Sequence, residues 1–178
     1  MLPRERTEGR QTKTSGKRYP SRGGLRLKPK DSFEVRPLRP ADFENGFFET
    51  LSALSDVGGL TPAEAKKVLS ALVEPSRVFV ASTGSGKVIG TTTLLVETKF
   101  IHRGGRVGHI EDVAVMKGYQ GRGVGRSLVE AAVRHAKELG CYKCILDCKP
   151  EVVGFYEGLG FSRHEVGMRL DLKKPARR

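Results

Sequence analysis

Apolar positions first alternate with polar ones between Phe33 and Leu38, where Phe33, Val35 and, past Pro37, Leu38 predict a strand. Pro40-Ala41-Asp42 opens a helix on which Phe43, Phe47, Leu51 and Leu54 recur at four- and three-residue spacing. Ser55 to Gly59 is a loop. Thr61 then caps a second helix, with Pro62 at its first position and Glu64 completing a capping box, and that helix ends before Pro75. Arg77 to Ser82 is rich in β-formers, Thr83 to Lys87 is a hairpin turn, and Val88 to Phe100 is a long returning strand. Arg103 to Arg106 turns the chain again, and Val107 to Val115 pairs back. A glycine-rich stretch follows, then an amphipathic helix from Arg126 to Leu139 that stops at Gly140. Tyr142 to Cys148 is nearly all apolar, which predicts a buried, partly parallel strand. Pro150 starts a short helix ended by Gly158 to Phe161, and Phe161 to Leu172 reads as a last strand. The order β α α β β β α β α β is that of one mixed α/β domain, antiparallel at first and built on crossovers later.

The chain has 178 residues, and three parts are expected: a tail over 1–32, a domain over 33–172 and a basic C-terminal tail over 173–178. The net charge is +12. Residues 1–32 hold ten Lys/Arg against Glu5, Glu8 and Asp31, a net of +7, which leaves +5 for the rest. That first segment has almost no large apolar groups and is expected to be disordered. It reads as a solubilising tail, with a transit peptide or an RNA-touching arm as alternatives. A basic surface suits anionic partners, but the basic-plus-aromatic pattern of a base-stacking surface is missing, so no nucleic acid is expected. There is no apolar run of membrane-spanning length and no secretory h-region. Cys141, Cys144 and Cys148 are odd in number, which argues for a reducing, cytoplasmic setting, organelle targeting by the tail aside. They are expected to be small buried hydrophobes, and with no second ligand pair no metal is expected.

The chemistry concentrates between Gly108 and Phe161. Gly121, Gly123 and Gly125 let the main chain turn sharply, and the helix behind them offers free N–H groups and a positive dipole end, an arrangement that suits phosphate. The stretch lacks both the dinucleotide pattern and the Gly-Lys-Ser/Thr ending of a triphosphate loop. Gln120-Gly121-Arg122-Gly123-Val124-Gly125 instead resembles the pyrophosphate loop of the Gcn5-related N-acetyltransferases. Three further segments resemble the glucosamine-6-phosphate N-acetyltransferase family: Lys99-Phe100-Ile101-His102, Gly108-His109-Ile110-Glu111-Asp112-Val113, and Gly140-Cys141-Tyr142-Lys143 with Leu146-Asp147-Cys148. Gly154-Phe155-Tyr156 with Gly160-Phe161 is shared more widely. The likeness covers about residues 33–170.

The resemblance implies an α/β (α+β) fold of the Gcn5-related N-acetyltransferase type, a mixed central β-sheet flanked by helices. It implies acetyl transfer from acetyl-CoA to the 2-amine of D-glucosamine 6-phosphate, on the route to UDP-N-acetylglucosamine. It also implies a homodimer whose sugar sites are shared between chains. Carried over residue by residue, it makes Tyr156 the general acid for the departing thiolate and Asp147 the group that polarises the amine. Glu111 joins them as a catalytic residue, and Glu111, Asp112 and Val113 line the sugar site. Lys99, Phe100, Ile101 and His102 bind on the phosphate side, and Ser55 supplies a hydroxyl. Val113, Val115, Gln120, Gly121, Arg122, Gly123, Val124, Gly125, Arg126 and Tyr156 hold the coenzyme.

Plainer roles stand beside these: a packing tyrosine, a structural acid at 147, exposed strand acids at 111 and 112, a turn histidine at 102. Glu111 and Asp112, adjacent in a strand, are expected on opposite faces, and His109 reads as structural. Two departures from the family pattern bear on the substrate. Val152-Val153 stands where some members have an Asn that touches the coenzyme. Asp171 falls where some have an Arg that grips the sugar phosphate, with Arg169 two residues earlier. A same-fold enzyme acting on another small amine or on a protein amine is the alternative.

Overall fold

The computed structural model describes residues 32–172, so the expectations for the two tails lie outside the described residues. Five strands form one sheet in the order β1 (Phe33–Pro37), β2 (Arg77–Thr83), β3 (Val88–Thr98), β4 (Arg106–Val115) and β5 (Cys141–Ile145). The first four are antiparallel neighbours and β5 runs parallel to β4. The crossover between them is α4 (Val124–Glu138). The mixed α/β architecture and its antiparallel first half are as the pattern predicts.

The sheet is covered on both faces. The apolar stripe of α4, including Leu128, Val129, Ala132 and Ala136, packs on Phe79, Ile89, Leu94 and Ile110. On the other face Phe43, Phe47 and Ala65 pack on Val80 and Val88. Ala65 belongs to α2 (Pro62–Ser70), which begins as its sequence requires. The Thr61 hydroxyl accepts from Glu64 N–H at 3.3 Å, and the Glu64 carboxylate accepts from Thr61 N–H at 2.9 Å.

Several expectations need correction. The helix from Pro40 is not continuous. It is a 3₁₀ turn (Pro40–Glu44) and then a short helix, α1 (Phe47–Leu51). Gly46 breaks it at φ +91°, and a Cβ there would lie 2.8 Å from the Val88 carbonyl. Leu54, expected on the apolar stripe, is exposed as a result. The 3₁₀ turn is fixed by buried Asp42, which accepts from both terminal nitrogens of Arg36 at 2.8 Å and from Arg39 N–H at 2.7 Å. Burial pushes this carboxyl up, but the Arg36 hydrogen bonds and the Arg39 N–H outweigh it and hold it below the ordinary range.

The strand expected over Tyr142 to Cys148 is shorter, and it is not buried. As the outermost strand β5 has only one neighbour, and Tyr142 and Lys143 are exposed. Cys141 and Cys144 are half-buried, Cys148 is exposed, and all three are free, so the expectation of three buried cysteines fails. The last strand is absent. Val166, Met168, Leu170 and Leu172 do alternate, but all four are exposed and the segment joins no sheet among the described residues.

Helix α4 sits close to the sheet because β3 carries Gly90 beneath it. A Cβ on Gly90 would stand 2.7 Å from Val124 Cγ1 and 2.8 Å from Leu128 Cδ1. Gly90→Ala is therefore expected to lift the start of α4 and cost about 1–3 kcal/mol through overpacking, seen as a lower urea midpoint at unchanged m-value. An unchanged midpoint would show that the contact between α4 and the sheet is looser than described.

Candidate active site

The β4–β5 ladder begins at Arg106↔Cys141 and ends at His109↔Ile145. There β5 stops, while β4 continues six residues to Val115, still paired with β3 on its other side. From Ile110 to Val115 the edge of β4 that would face β5 looks into an opening. Main-chain N–H and C=O groups are obligatory hydrogen-bonding groups, so an extended ligand can add there as a strand would.

A bulge shapes this stretch. Thr91 pairs with Ala114 and Thr93 with Glu111, so Asp112 and Val113 together oppose Thr92. Asp112 takes the left-handed conformation at φ +51°, and the Thr92 hydroxyl donates to the Glu111 carbonyl at 3.2 Å. The regular alternation expected to send Glu111 and Asp112 to opposite faces is interrupted here.

Glu111 and Asp147 stand at the two lips of the opening, each two residues past the last ladder pair. Asp147 was expected inside an apolar strand; it lies beyond the end of β5 and is exposed. A groove of about 920 Å³ runs beside β5, bounded by α5 (Val153–Glu157) and by the chain from Phe161 to Gly167, and both Asp147 and Tyr156 line it. Tyr156 is half-buried between the rings of Phe155, at 4.9 Å, and Phe161, at 6.0 Å. Burial, then the neighbouring Cys148, push its phenol above the usual value of 10.0.

The glycine-rich loop closes the other end. Gly121 and Gly123 have φ of +73° and +84°, and nothing crowds a Cβ at either, so left-handed backbone rather than space calls for glycine. Gly123 is the N-cap of α4, which starts at Val124, two residues earlier than its apolar stripe suggests. The first turn of α4 carries no acid, so its free N–H groups face the loop without a competing carboxylate. The Gln120 side chain donates to the Val115 carbonyl at 3.3 Å and folds the loop onto the end of β4. Arg122 lies 5.5 Å from the Tyr119 ring. Arg126 donates to the Gly158 carbonyl at 3.3 Å and pairs with Glu130 at 3.4 Å, which ties α4 to the end of α5. Gly125 completes the junction, with Phe155 and Val115 each 3.5 Å from where its Cβ would be.

Two groups of expected site residues are not brought to this opening. Ser55 is exposed in the loop after α1. Lys99 to His102 lie at the far end of β3, in and before a short turn, α3 (Ile101–Gly104), where His102 and Arg103 are left-handed. Phe100 and Ile101 are exposed, and His102 packs its ring 4.4 Å from that of Tyr142. Conversely, His109 and Glu97 join the site although the sequence reading left them out. His109 Nε2 lies 3.0 Å from Glu111 Oε1, and its Nδ1 lies 3.4 Å from Glu97 Oε1. The available signal was the two-residue spacing of His109 and Glu111, which puts both on one face of β4; that Glu97 lies across from them needed the register.

Against known proteins, residues 42–161 match the model of the acetyltransferase (GNAT) family. A glucosamine 6-phosphate N-acetyltransferase of Trypanosoma brucei brucei is 44% identical over 142 residues, 78% of this chain and 95% of the relative. That of Candida albicans is 40% identical over 139 residues, 76% and 93% of the two chains. The chain belongs to the GNAT acetyltransferases, among the glucosamine 6-phosphate N-acetyltransferases. The crystal structure of the Arabidopsis thaliana glucosamine-6-phosphate N-acetyltransferase superposes with a TM-score of 0.75 at 33% identity, covering 80% of this chain and 99% of that one. GNAT acetyltransferases use acetyl-CoA, and the loop, the acid-free helix start and the open β4 edge suit its pyrophosphate and its amide-bearing arm.

The raised pKa of Tyr156 has a direct consequence. The stabilisation it reflects is complete below the unfolded value near 10 and is lost as the pH climbs through the folded value. An alkaline titration followed at 295 nm is expected to contain a component above pH 10 that Tyr156→Phe removes. Loss instead of a component at or below 10 would contradict the buried placement.

Proposed function

We propose that this chain transfers the acetyl group of acetyl-CoA to the 2-amine of D-glucosamine 6-phosphate, giving N-acetyl-D-glucosamine 6-phosphate and CoA, a step towards UDP-N-acetylglucosamine. The observation that carries the reading is the parting of β4 and β5, with an acid on each lip above an anion-binding loop. Gln120 to Arg126 hold the pyrophosphate, chiefly through main-chain N–H groups. Val113 and Val115 pair with the pantetheine, and a β4 amide stabilises the oxyanion formed when the amine attacks the thioester. Asp147 polarises the amine, Glu111 accepts its proton, and Tyr156, which keeps its proton by burial, gives it to the departing thiolate. Transfer is direct, with no cysteine as carrier. Three free cysteines favour a reducing compartment, the cytoplasm.

The acceptor site is completed by a second copy. Glu111 lies opposite Thr93, and Lys99 is six residues further on, roughly 20 Å along the strand. Phe100 to His102 lie in and before the α3 turn, away from Glu111, and they serve the partner's site, with Lys99, whose Nζ reaches back to Glu97, beside them. The exposed Phe100, Ile101, Val166, Met168, Leu170 and Leu172 supply apolar surface for such an interface.

One observation favours a second reading, another amine acceptor. Asp171 occupies the position of a phosphate-gripping Arg and holds Arg169 in an ion pair at 2.6 Å, so the phosphate grip falls to other cations. A free-thiol assay separates the readings. CoA release is expected with acetyl-CoA and D-glucosamine 6-phosphate, and not with unphosphorylated glucosamine, and Tyr156→Phe is expected to slow it about a hundredfold. Release with other amines but not the phosphorylated sugar would move the acceptor elsewhere. The same assay on co-refolded Lys99→Ala and Glu111→Gln chains, each alone inactive, should recover roughly a quarter of wild-type activity if sites are shared; no recovery would remove the shared site.

A further inference from the structure

Among the described residues, two titratable side chains that the reaction above does not use, Glu97 and His109, link to Glu111. Lys99, Glu97, His109 and Glu111 form a line across the face of β3 and β4. Lys99 Nζ binds Glu97 Oε2, and Glu97 Oε1 faces His109 Nδ1 at 3.4 Å. His109 Nε2 faces Glu111 Oε1 at 3.0 Å. Each contact uses a different polar atom, so each imidazole nitrogen faces a carboxylate. His109 is also anchored through its backbone, paired with Leu95 on one side and Ile145 on the other, the last rung before the strands part. Its side chain is only 22% exposed, against 41% for Glu111.

A glutamate at the mouth of an opening has three freely rotating side-chain bonds. To take a proton from an amine it must keep one oxygen turned toward that amine. We infer that His109 is the positioning residue for Glu111. By donating from Nε2 it fixes Oε1 and leaves Oε2 as the oxygen for the acceptor amine, while Glu97 sets the imidazole from behind. The logic is that of a carboxylate that orients a catalytic histidine, here with the histidine orienting a carboxylate. The inference rests on the proposed transfer to an amine.

The test compares His109→Ala with His109→Gln, whose side-chain amide nitrogen falls near the place of Nε2 and still donates. His109→Ala is expected to lower kcat about tenfold or more with the KM for acetyl-CoA within about twofold of wild type, and His109→Gln to recover most of the loss. A merely structural histidine would not give that split or that rescue. Glu97→Ala provides the second variant: if His109→Ala does not fold, judged by acetyl-CoA binding, the same fall in kcat is expected of Glu97→Ala. Wild-type kcat in the folded variants, an effect on KM alone, or equal loss in His109→Ala and His109→Gln would overturn the inference and leave the acetyl transfer intact. Absence of turnover of D-glucosamine 6-phosphate by the wild-type chain would remove the proposed function, and this inference with it.

Discussion

Four ladder pairs hold β5 to β4, and past His109↔Ile145 the two strands separate. A parallel pair within one sheet normally continues as far as the shorter strand allows, because every unpaired main-chain group must find another partner. Here β5 ends after five residues and its chain turns away, so β4 keeps a free edge in the middle of the molecule. Most of the residues proposed for the site flank that edge. Glu111 and Asp147 stand where it begins, and the glycine-rich loop and the start of α4 stand where it ends. Tyr156 lines the groove beside β5, together with Asp147.

The opening holds its shape because the elements around it are tightly seated. Glycines at 90 and 108 let α4 lie on β3 and β4. A Cβ at Gly108 would meet Ala136, Cys144 and Leu94 at 3.1 Å each. With α4 seated, its N-terminus is held beside the glycine-rich loop, and Arg126 ties that position to the end of α5 through the Gly158 carbonyl. The bulge at Asp112 and Val113 acts on the same stretch of β4. It interrupts the pleat beside Glu111 without releasing β4 from β3, which regains register at Ala114.

What was legible in the sequence was local. The capping box at Thr61 and Glu64, the turn at Thr83 to Lys87 and the glycine loop depend on residues a few positions apart, and each forms as expected. The features that were not legible depend on a partner strand. The bulge needs Thr92 opposite it, the short β5 needs the divergence from β4, and the His109 contacts need Glu97 from another strand. The alternation of Val166, Met168, Leu170 and Leu172 suggested a strand that does not form among the described residues; these side chains lie exposed, and the proposed second copy is what would cover them. For the site, the acids and the tyrosine were identified from resemblance. The sequence did not reveal that Lys99 to His102 lie at the far end of β3 from the glycine-rich loop, because that placement depends on how β3 pairs with β4.

The account depends on the coenzyme arm pairing with the free edge of β4. Amide hydrogen exchange, read by NMR with and without saturating acetyl-CoA, tests this most directly. Slower exchange is predicted at Val113 and Val115 and at the N–H groups of residues 121–126, with the paired residues Arg106 to His109 unchanged. Protection confined to other surfaces, with the β4 edge exchanging as before, would contradict the claim that the parting of β4 and β5 makes the site.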